Sequence, residues 1–338
     1  MKIGRLDTNK DILFVAEIGN NHEGDFGLAQ KMIGLAASAG ANAVKFQTYR
    51  TELFVNKQDR ARFERLKSFE LTFKQFECLS RTADNEGLLF LSTPLDLESA
   101  TFLKDIVCAY KIASGDNNFI PLLEFAAHTG LPLLISCGLI DISEAKETVA
   151  LIHSIWSQNS LPAEMALLHC ITAYPAPPEQ ANIAAIAQLK KEFNCTIGYS
   201  DHTLGIEAAL LALALGARII EKHFTIDKNK SNFRDHQLSA DPDEMKLLIH
   251  KSKEILNLLG SGLKIPQKSE IDIKYTVRRS IVARRNLAAG SFIAKDDIAW
   301  LRPANGLPPG QERLIIGKKL LSDVVAGEPI LLQNTKEI

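Results

Sequence analysis

Over the first 260 positions, apolar residues gather in eight short runs that are almost continuous. They are Ile12–Gly19, Ala43–Gln47, Leu88–Ser92, Ala109–Ser114, Pro132–Cys137, Met165–Cys170, Thr196–Ser200 and Arg218–His223. Runs of this length without alternation predict parallel strands buried on both faces. Between them the period becomes helical. Gly27–Ala39 puts Leu28, Met32, Leu35 and Ala36 on one face. Thr72–Glu86 opens on an N-cap residue and is followed by Gly87. Ser143–Ser157 opens Ser-x-x-Lys with Glu144 and Glu147 in its first turn, where negative charge suits the helix dipole. Leu204–Leu215 is apolar on most sides, which predicts deep packing. Asp241-Pro242 starts a last helix that reaches Leu259. Eight strand–helix repeats predict an α/β fold, a (β/α)8 TIM barrel over residues 1–260. An open, doubly wound sheet is the alternative, but neither a G-x-G-x-x-G nor a Walker A sequence supports it.

The pattern changes at residue 261. Residues 261–279 (SGLKIPQKSEIDIKYTVRR) are polar with isolated apolar positions and read as a linker. Beyond it, Ser280–Arg284, Ser291–Ile293, Ile298–Leu301 and Ile330–Leu332 are short β-like pieces among glycines and prolines. They predict a small, loop-rich, β-dominated domain over 280–338.

Composition narrows the class. The 338 residues carry 39 Lys plus Arg against 40 Asp plus Glu, a net charge of −1, and 46% are hydrophobic. That excludes global disorder and gives no overall bias toward nucleic acid or an anionic membrane. The longest apolar run, Ala208–Ala217, falls short of the roughly 18–20 residues a spanning helix needs. Lys2, Arg5, Asp7, Lys10 and Asp11 interrupt any signal-peptide core. The cysteines, at 78, 108, 137, 170 and 195, are odd in number and widely spaced, which fits reduced thiols in a cytoplasmic protein.

A barrel of this kind works at the C-terminal ends of its strands. Each run ends in polar groups: Glu17, with Asn20, Asn21, His22 and Glu23 after it; Lys45 and Gln47; Ser92 and Thr93; Lys111, Ser114 and Asp116; Ser136; His169, Thr172 and Tyr174; Ser200, Asp201 and His202; Glu221 and His223. Solvent-facing strand ends account for the serines and threonines. They account less well for lysines and histidines inside apolar runs, where an unpaired charge is costly. Two readings of Lys45 and Lys111 stand: each pairs with a buried carboxylate and only orients the barrel, or the two clamp a multiply charged anion with Thr93, Ser114, Ser136 and Ser200 as neutral donors. His202 and His223 end adjacent strands. They either share a divalent ion with open positions, or serve as hydrogen-bonded core groups or proton donors. His169 reads as a packed neighbour. Glu17, Asp116 and Asp235 are candidates for binding hydroxyls, moving protons or capping loops.

Taken in order, these motifs resemble a known family. Glu17-Ile-Gly-Asn-Asn-His-Glu-Gly, Val44-Lys-Phe-Gln-Thr, Ser92-Thr-Pro, Tyr110-Lys-Ile-Ala-Ser-Gly, Tyr199-Ser-Asp-His-Thr and Glu221-Lys-His-Phe-Thr resemble the sialic acid synthases, which include the N-acetylneuraminate, legionaminic and pseudaminic acid synthases. Arg302-Pro-Ala-Asn-Gly is similar to the family's C-terminal antifreeze-like (SAF) domain. The resemblance implies condensation of phosphoenolpyruvate with a 2-acetamido sugar, N-acetylmannosamine or a 2,4-diacetamido-6-deoxy-hexose, to a nonulosonic acid and phosphate. It implies that Lys45, Thr93, Lys111, Ser114, Ser136 and Ser200 hold phosphoenolpyruvate, with Thr172 beside the phosphate. His202 and His223 would ligate a divalent ion, typically manganese. Glu17, Gln47, Tyr174 and Asp235 would address the sugar, and Glu17 or Asp116 would take the proton of the attacking water. It also implies a homodimer with swapped SAF domains, in which Arg302 reaches the partner's barrel. Three positions depart from the family pattern: Asp116 where some members have Glu, Thr172 where some have Asn, and Ser-Asn-Phe-Arg-Asp-His (231–236) in place of a Gly-Pro-Asp-His loop. The alternatives are another phosphoenolpyruvate-dependent 3-deoxy sugar acid synthase and a non-catalytic sugar-binding protein. A synthase acting on a sugar phosphate would need a second basic cluster, and at the strand ends only Arg234 offers itself.

Overall fold

The computed structural model describes residues 1–162 and 164–337. The chain divides into two compact units, Met1–Gly260 and Ser261–Ile338. In the first, eight parallel strands close into a barrel in sequence order. They are β1 (Leu13–Gly19), β2 (Ala43–Thr48), β3 (Leu89–Pro94), β4 (Tyr110–Ile112), β5 (Leu133–Ser136), β6 (Met165–Cys170), β7 (Thr196–Asp201) and β8 (Ile219–His223). β8 pairs with β1 to complete the ring. Each apolar run of the sequence is one of these strands.

Alternation of side chains divides each strand between two cores. Outward residues such as Phe14, Val44, Phe90, Ile135 and Leu167 pack under the helices. Inward residues Leu13, Val15, Ala43, Leu89, Leu91, Ala109, Leu134, Ala166, Leu168 and Ile219 fill the N-terminal half of the interior. A short hairpin, Lys2–Ile3 with Leu6–Asp7, sets fully buried Ile3 against this inner core. Two residues further along each strand the inward rows become polar: Glu17, Lys45, Thr93, Lys111, Ser136, Cys170, Ser200 and Glu221. The barrel is thus dry below and charged above, and the charged layer is the floor of the site.

Capping boxes begin the helices Phe73–Asn85 (Thr72 with Gln75) and Pro242–Leu259 (Asp241 with Glu244). The helix expected from Ser143 starts one residue earlier, at Ile142, because Asp141 with Glu144 supplies the cap. The Leu204–Leu215 stretch corrects its expectation. Its helix is Glu207–Ala214 and buries Ala209, Ala212 and Leu213, while Leu204 and Leu211 are 60% and 59% exposed. Ala209, Ala212 and Leu213 face the barrel there, with Leu210 partly buried beside them.

In the second unit the stretch read as a linker carries a helix, Lys268–Val277, with no buried residue. Two of the expected β pieces are strands, Ser280–Ala283 and Ile298–Leu301, and they pair antiparallel. Residues 291–293 form only an isolated bridge at Phe292, and Leu332–Asn334 is a 3-10 turn. Nine residues, Ile281, Ala283, Leu287, Ile293, Ile298, Ile315, Leu320, Val324 and Ile330, form its core.

Candidate active site

The C-terminal ends of the strands enclose a cavity of about 360 Å³. Glu17, Lys45, Gln47, Thr93, Lys111, Ser114, Asp116, Ser136, Thr172, Tyr174, Ser200, His202, His223 and Asp235 all line it. Arg302 lies exposed in the second unit.

The floor is a network of two lysines and two glutamates. Lys45 Nζ lies 2.8 Å from Glu17 Oε2 and 3.7 Å from Glu221 Oε1, and donates to Thr93 Oγ1 at 3.1 Å. Lys111 Nζ lies 3.6 Å from the same Glu221 oxygen and donates to Ser136 Oγ at 2.8 Å. Ser200 Oγ donates to Glu221 Oε1 at 2.9 Å. Both sequence readings of the lysines therefore hold at once: they are paired with carboxylates and they face the cavity. Burial disfavours the Lys45 cation, but Glu17 and Glu221 outweigh it and hold its pKa above the ordinary value. Burial wins at Lys111, which is lowered despite Glu221. Glu17 is raised by burial against the pull of Lys45. Burial also opposes the Glu221 charge, but Lys111, Lys45 and Ser200 together hold its pKa down. Glu221 sits between both cations, yet at the sequence level it was only a polar strand end. Its signal was there: it stands two residues before His223, on the same inward row.

Beside this network the rings of His202 and His223 lie 5.3 Å apart, centroid to centroid. His202 Nδ1 is 2.7 Å from the Ile171 carbonyl, which makes it the donor there and leaves Nε2 with the lone pair. Burial disfavours the His202 cation, but Cys170, whose sulfur is 3.7 Å from Nδ1, the Ile171 carbonyl and Glu221 outweigh it. His223 is driven well below its ordinary value by burial, then by His202 and the lysines, so it is a neutral imidazole. Its Nδ1 is buried without a hydrogen-bond partner. Two adjacent imidazoles, one kept neutral with an orphaned nitrogen, fit a divalent cation whose remaining positions go to water or substrate. Among the described residues no cluster of three or more His, Cys, Asp or Glu could hold a metal, so the protein's share would be these two.

Above the floor, Ser114–Asp116 forms a single 3-10 turn. Asn117 Nδ2 donates to the carbonyls of Ser136 and Gly138 at 3.2 and 2.9 Å, and Gly138 N–H donates to Ser114 Oγ at 3.1 Å. A Cβ at Gly138 would sit 2.4 Å from Thr172 Oγ1 and 2.6 Å from Ser114 Oγ. The hydroxyl cradle thus closes on a glycine that spacing did not single out. Burial pushes the Asp116 carboxyl up to about 6, against the opposing pull of Lys111. Asn20 donates to Gln47 Oε1 at 2.9 Å, which turns the Gln47 amide toward Glu17. His169 is the packed neighbour it was read to be, 2.9 Å from the Ala181 carbonyl and stacked on Tyr199.

The rim corrects one expectation. Arg234 is not alone: Arg62 and Arg65, from the helix Arg60–Phe69, also line the cavity. Arg234 lies over the Tyr174 ring at 4.6 Å and 3.3 Å from Asp235, and Arg62 lies over Phe54 at 5.6 Å. The helix lies between β2 and β3 in the chain, so strand-end counting could not find its arginines.

A closed parallel barrel with a charged, hydroxyl-lined cavity at its C-terminal mouth defines a (β/α)8-barrel enzyme. Residues 32–264 match the NeuB family and residues 278–334 match the SAF domain, and the chain belongs to the NeuB family. It is 39% identical to the N,N'-diacetyllegionaminic acid synthase of Legionella pneumophila over 95% of this chain and 93% of that protein. It is 30% identical to human N-acetylneuraminate-9-phosphate synthase, over 94% and 90% respectively. Among solved structures, the sialic acid synthetase of Leptospira borgpetersenii in complex with citrate superimposes with a TM-score of 0.74 at 39% identity, covering 80% of this chain and 94% of that one.

Proposed function

We propose that the protein condenses phosphoenolpyruvate with a 2-acetamido sugar to give a nonulosonic acid and phosphate. The observation that carries this reading is the meeting, in one cavity, of the Lys45–Lys111 anion cradle with the His202–His223 pair. Lys45 and Lys111 hold the phosphate and carboxylate, with Thr93, Ser114, Ser136, Thr172 and Ser200 as neutral donors. Gln47, Tyr174 and Asp235 bind sugar hydroxyls. His202 and His223 hold a divalent ion, manganese by family resemblance, which when bound supplies a Lewis acid for the sugar aldehyde. Carbon 3 of the enol bonds to the aldehyde carbon, leaving an oxocarbenium at carbon 2. Water adds at carbon 2, and the tetrahedral intermediate expels phosphate with its bridging oxygen.

Asp116 suits the proton of that water better than Glu17 does. Glu17 is tied to Lys45 at 2.8 Å, whereas Asp116, at about 6, is ionised at neutral pH and basic enough to take a proton. The rate should fall below pH 6 in the wild type, and Asp116→Asn should lose that limb together with most activity. The raised pKa has a second consequence. The folded state holds the Asp116 proton more tightly than the unfolded chain does. The group's contribution to stability is therefore greatest at low pH and declines as pH rises from the ordinary aspartate value of 3.8 through about 6. Asp116→Asn should raise the melting temperature at pH 7.5 and change it little at pH 4. Equal shifts at both pH values would contradict the assignment.

Gly138→Ala should leave the barrel folded, because the barrel core does not include this position. Its methyl group would push Ser114 and Thr172 apart, and KM for phosphoenolpyruvate should rise by about tenfold or more. An unchanged KM would remove the hydroxyl cradle from the reading.

One observation favours a second acceptor class. Arg62, Arg65 and Arg234 at the rim supply the basic cluster that a phosphorylated sugar would need. The deciding experiment offers phosphoenolpyruvate and manganese with a panel: N-acetylmannosamine, its 6-phosphate and 2,4-diacetamido-6-deoxy-hexoses. Products are identified by mass. No product from any of them, with phosphoenolpyruvate unconsumed, would refute the synthase.

We also propose a homodimer with exchanged SAF domains, in which Arg302 serves the partner's cavity. On the helix Lys268–Val277, Ile271 with Tyr275 and Ile273 with Val277 form two exposed apolar stripes on opposite sides, surface that a second copy would cover in part. Light scattering should give twice the chain mass, and Ile271→Asp with Ile273→Asp should return a monomer.

A further inference from the structure

One charged cluster lies outside the cavity, in the layer between barrel and helices. Along β7 and β8 the side chains of Tyr199, Asp201 and Lys222 alternate with the inward Ser200, Glu221 and His223, and so point outward. Asp201 is 0% exposed and Lys222 is 1% exposed, and they lie opposite each other in the strand register. Lys222 Nζ is 3.0 Å from Asp201 Oδ2 and donates to the Thr203 carbonyl at 2.5 Å. Asp201 Oδ1 accepts from the Tyr199 hydroxyl at 3.2 Å, and from the Thr203 N–H and hydroxyl at 2.8 Å each.

A dry ion pair of this kind is no more stabilising than well-packed apolar residues of the same volume. Its place in the chain gives the better account. Asp201 is covalently joined to His202, and Lys222 to His223. One carboxylate pins the turn 201–203 that aims the first imidazole. Through Lys222 it also pins the end of β8 that aims the second. From the other side the Ile171 carbonyl fixes the His202 ring. A backbone displacement at His202 or His223 would strain the hydrogen bonds of this cluster.

We propose that Asp201 and Lys222 are positioning residues that set the separation and tilt of the two imidazoles, and thereby the affinity for the divalent ion. The proposal rests on the metal reading above.

The test is manganese binding to the full chain without substrates, followed by electron paramagnetic resonance or calorimetry. Removing one partner strands a buried charge, so single variants at 201 or 222 report mainly on folding. The double variant Asp201→Asn/Lys222→Met keeps the volume and discards both charges. It should melt cooperatively, bind manganese about 10–100-fold more weakly, and recover turnover at saturating ion. Tyr199→Phe removes one donor to Oδ1 and nothing else, and should weaken binding by a smaller factor. Wild-type affinity in a folded double variant overturns the proposal. Should that variant not fold, Tyr199→Phe decides: weakened binding supports the role and unchanged binding overturns it. A wild-type protein that takes up no manganese overturns the metal reading itself, and this role with it.

Discussion

Replacing Lys45 by Met is expected to lower kcat/KM for phosphoenolpyruvate by about a hundredfold to a thousandfold, the range expected when one member of a buried charge pair is truncated. The side chain is fully buried, and three groups converge on its ammonium: Glu17 at 2.8 Å, Glu221 at 3.7 Å and Thr93 at 3.1 Å. Met keeps the length of the side chain and removes the charge. The variant then confronts a multiply charged anion with two glutamates and only one lysine. Lys111 is relieved of one repelling charge when Lys45 is lost, but its single ammonium then faces both glutamates and the anion. The loss should appear mainly in KM and in calorimetric binding of phosphoenolpyruvate. Arg is not a safe control, since its planar fork does not fit the place of a point charge. Unchanged KM and kcat would show that Lys45 only braces the barrel.

His223→Ala should cost at least about a thousandfold in turnover at fixed manganese and should abolish ion binding, since the ion would keep a single imidazole. His223 is the sharper choice of the pair. Burial and its cationic neighbours keep it neutral, so it is poorly suited to act as a proton donor and well suited to act as a ligand. Chelation of the wild type should reproduce the phenotype and added manganese should reverse it. A variant that still binds the ion like wild type would assign the histidine elsewhere, and full activity in excess chelator would end the metal reading.

Much of the site was legible because a buried parallel strand can carry a charged residue only at a cost. Lys45, Lys111, His202 and His223 stood out as charges and imidazoles in or at the ends of apolar runs, and a barrel orders the ends of its runs around one mouth. The groups that escaped notice reach the cavity by other routes. Arg62 and Arg65 come from a helix in the connection between β2 and β3, and no strand period points to them. Gly138 matters through what a Cβ would strike, which depends on Ser114 and Thr172 from two other loops. The misread helix Glu207–Ala214 has the same cause. Its composition is apolar all round, but Ala209, Ala212 and Leu213 are buried against the barrel while Leu211 is exposed.

The number of strands, their burial on both faces and the end that carries chemistry are local properties: run length, spacing and the last residues of each run. These the sequence determined by itself, because every strand reports its own burial. Which charges neutralise one another was decided only in three dimensions. That Glu221 serves both lysines, that the two imidazoles lie side by side, and that Asp201 meets Lys222 on the far side of the same wall all follow from strand register and barrel closure, which bring together residues as much as 200 positions apart.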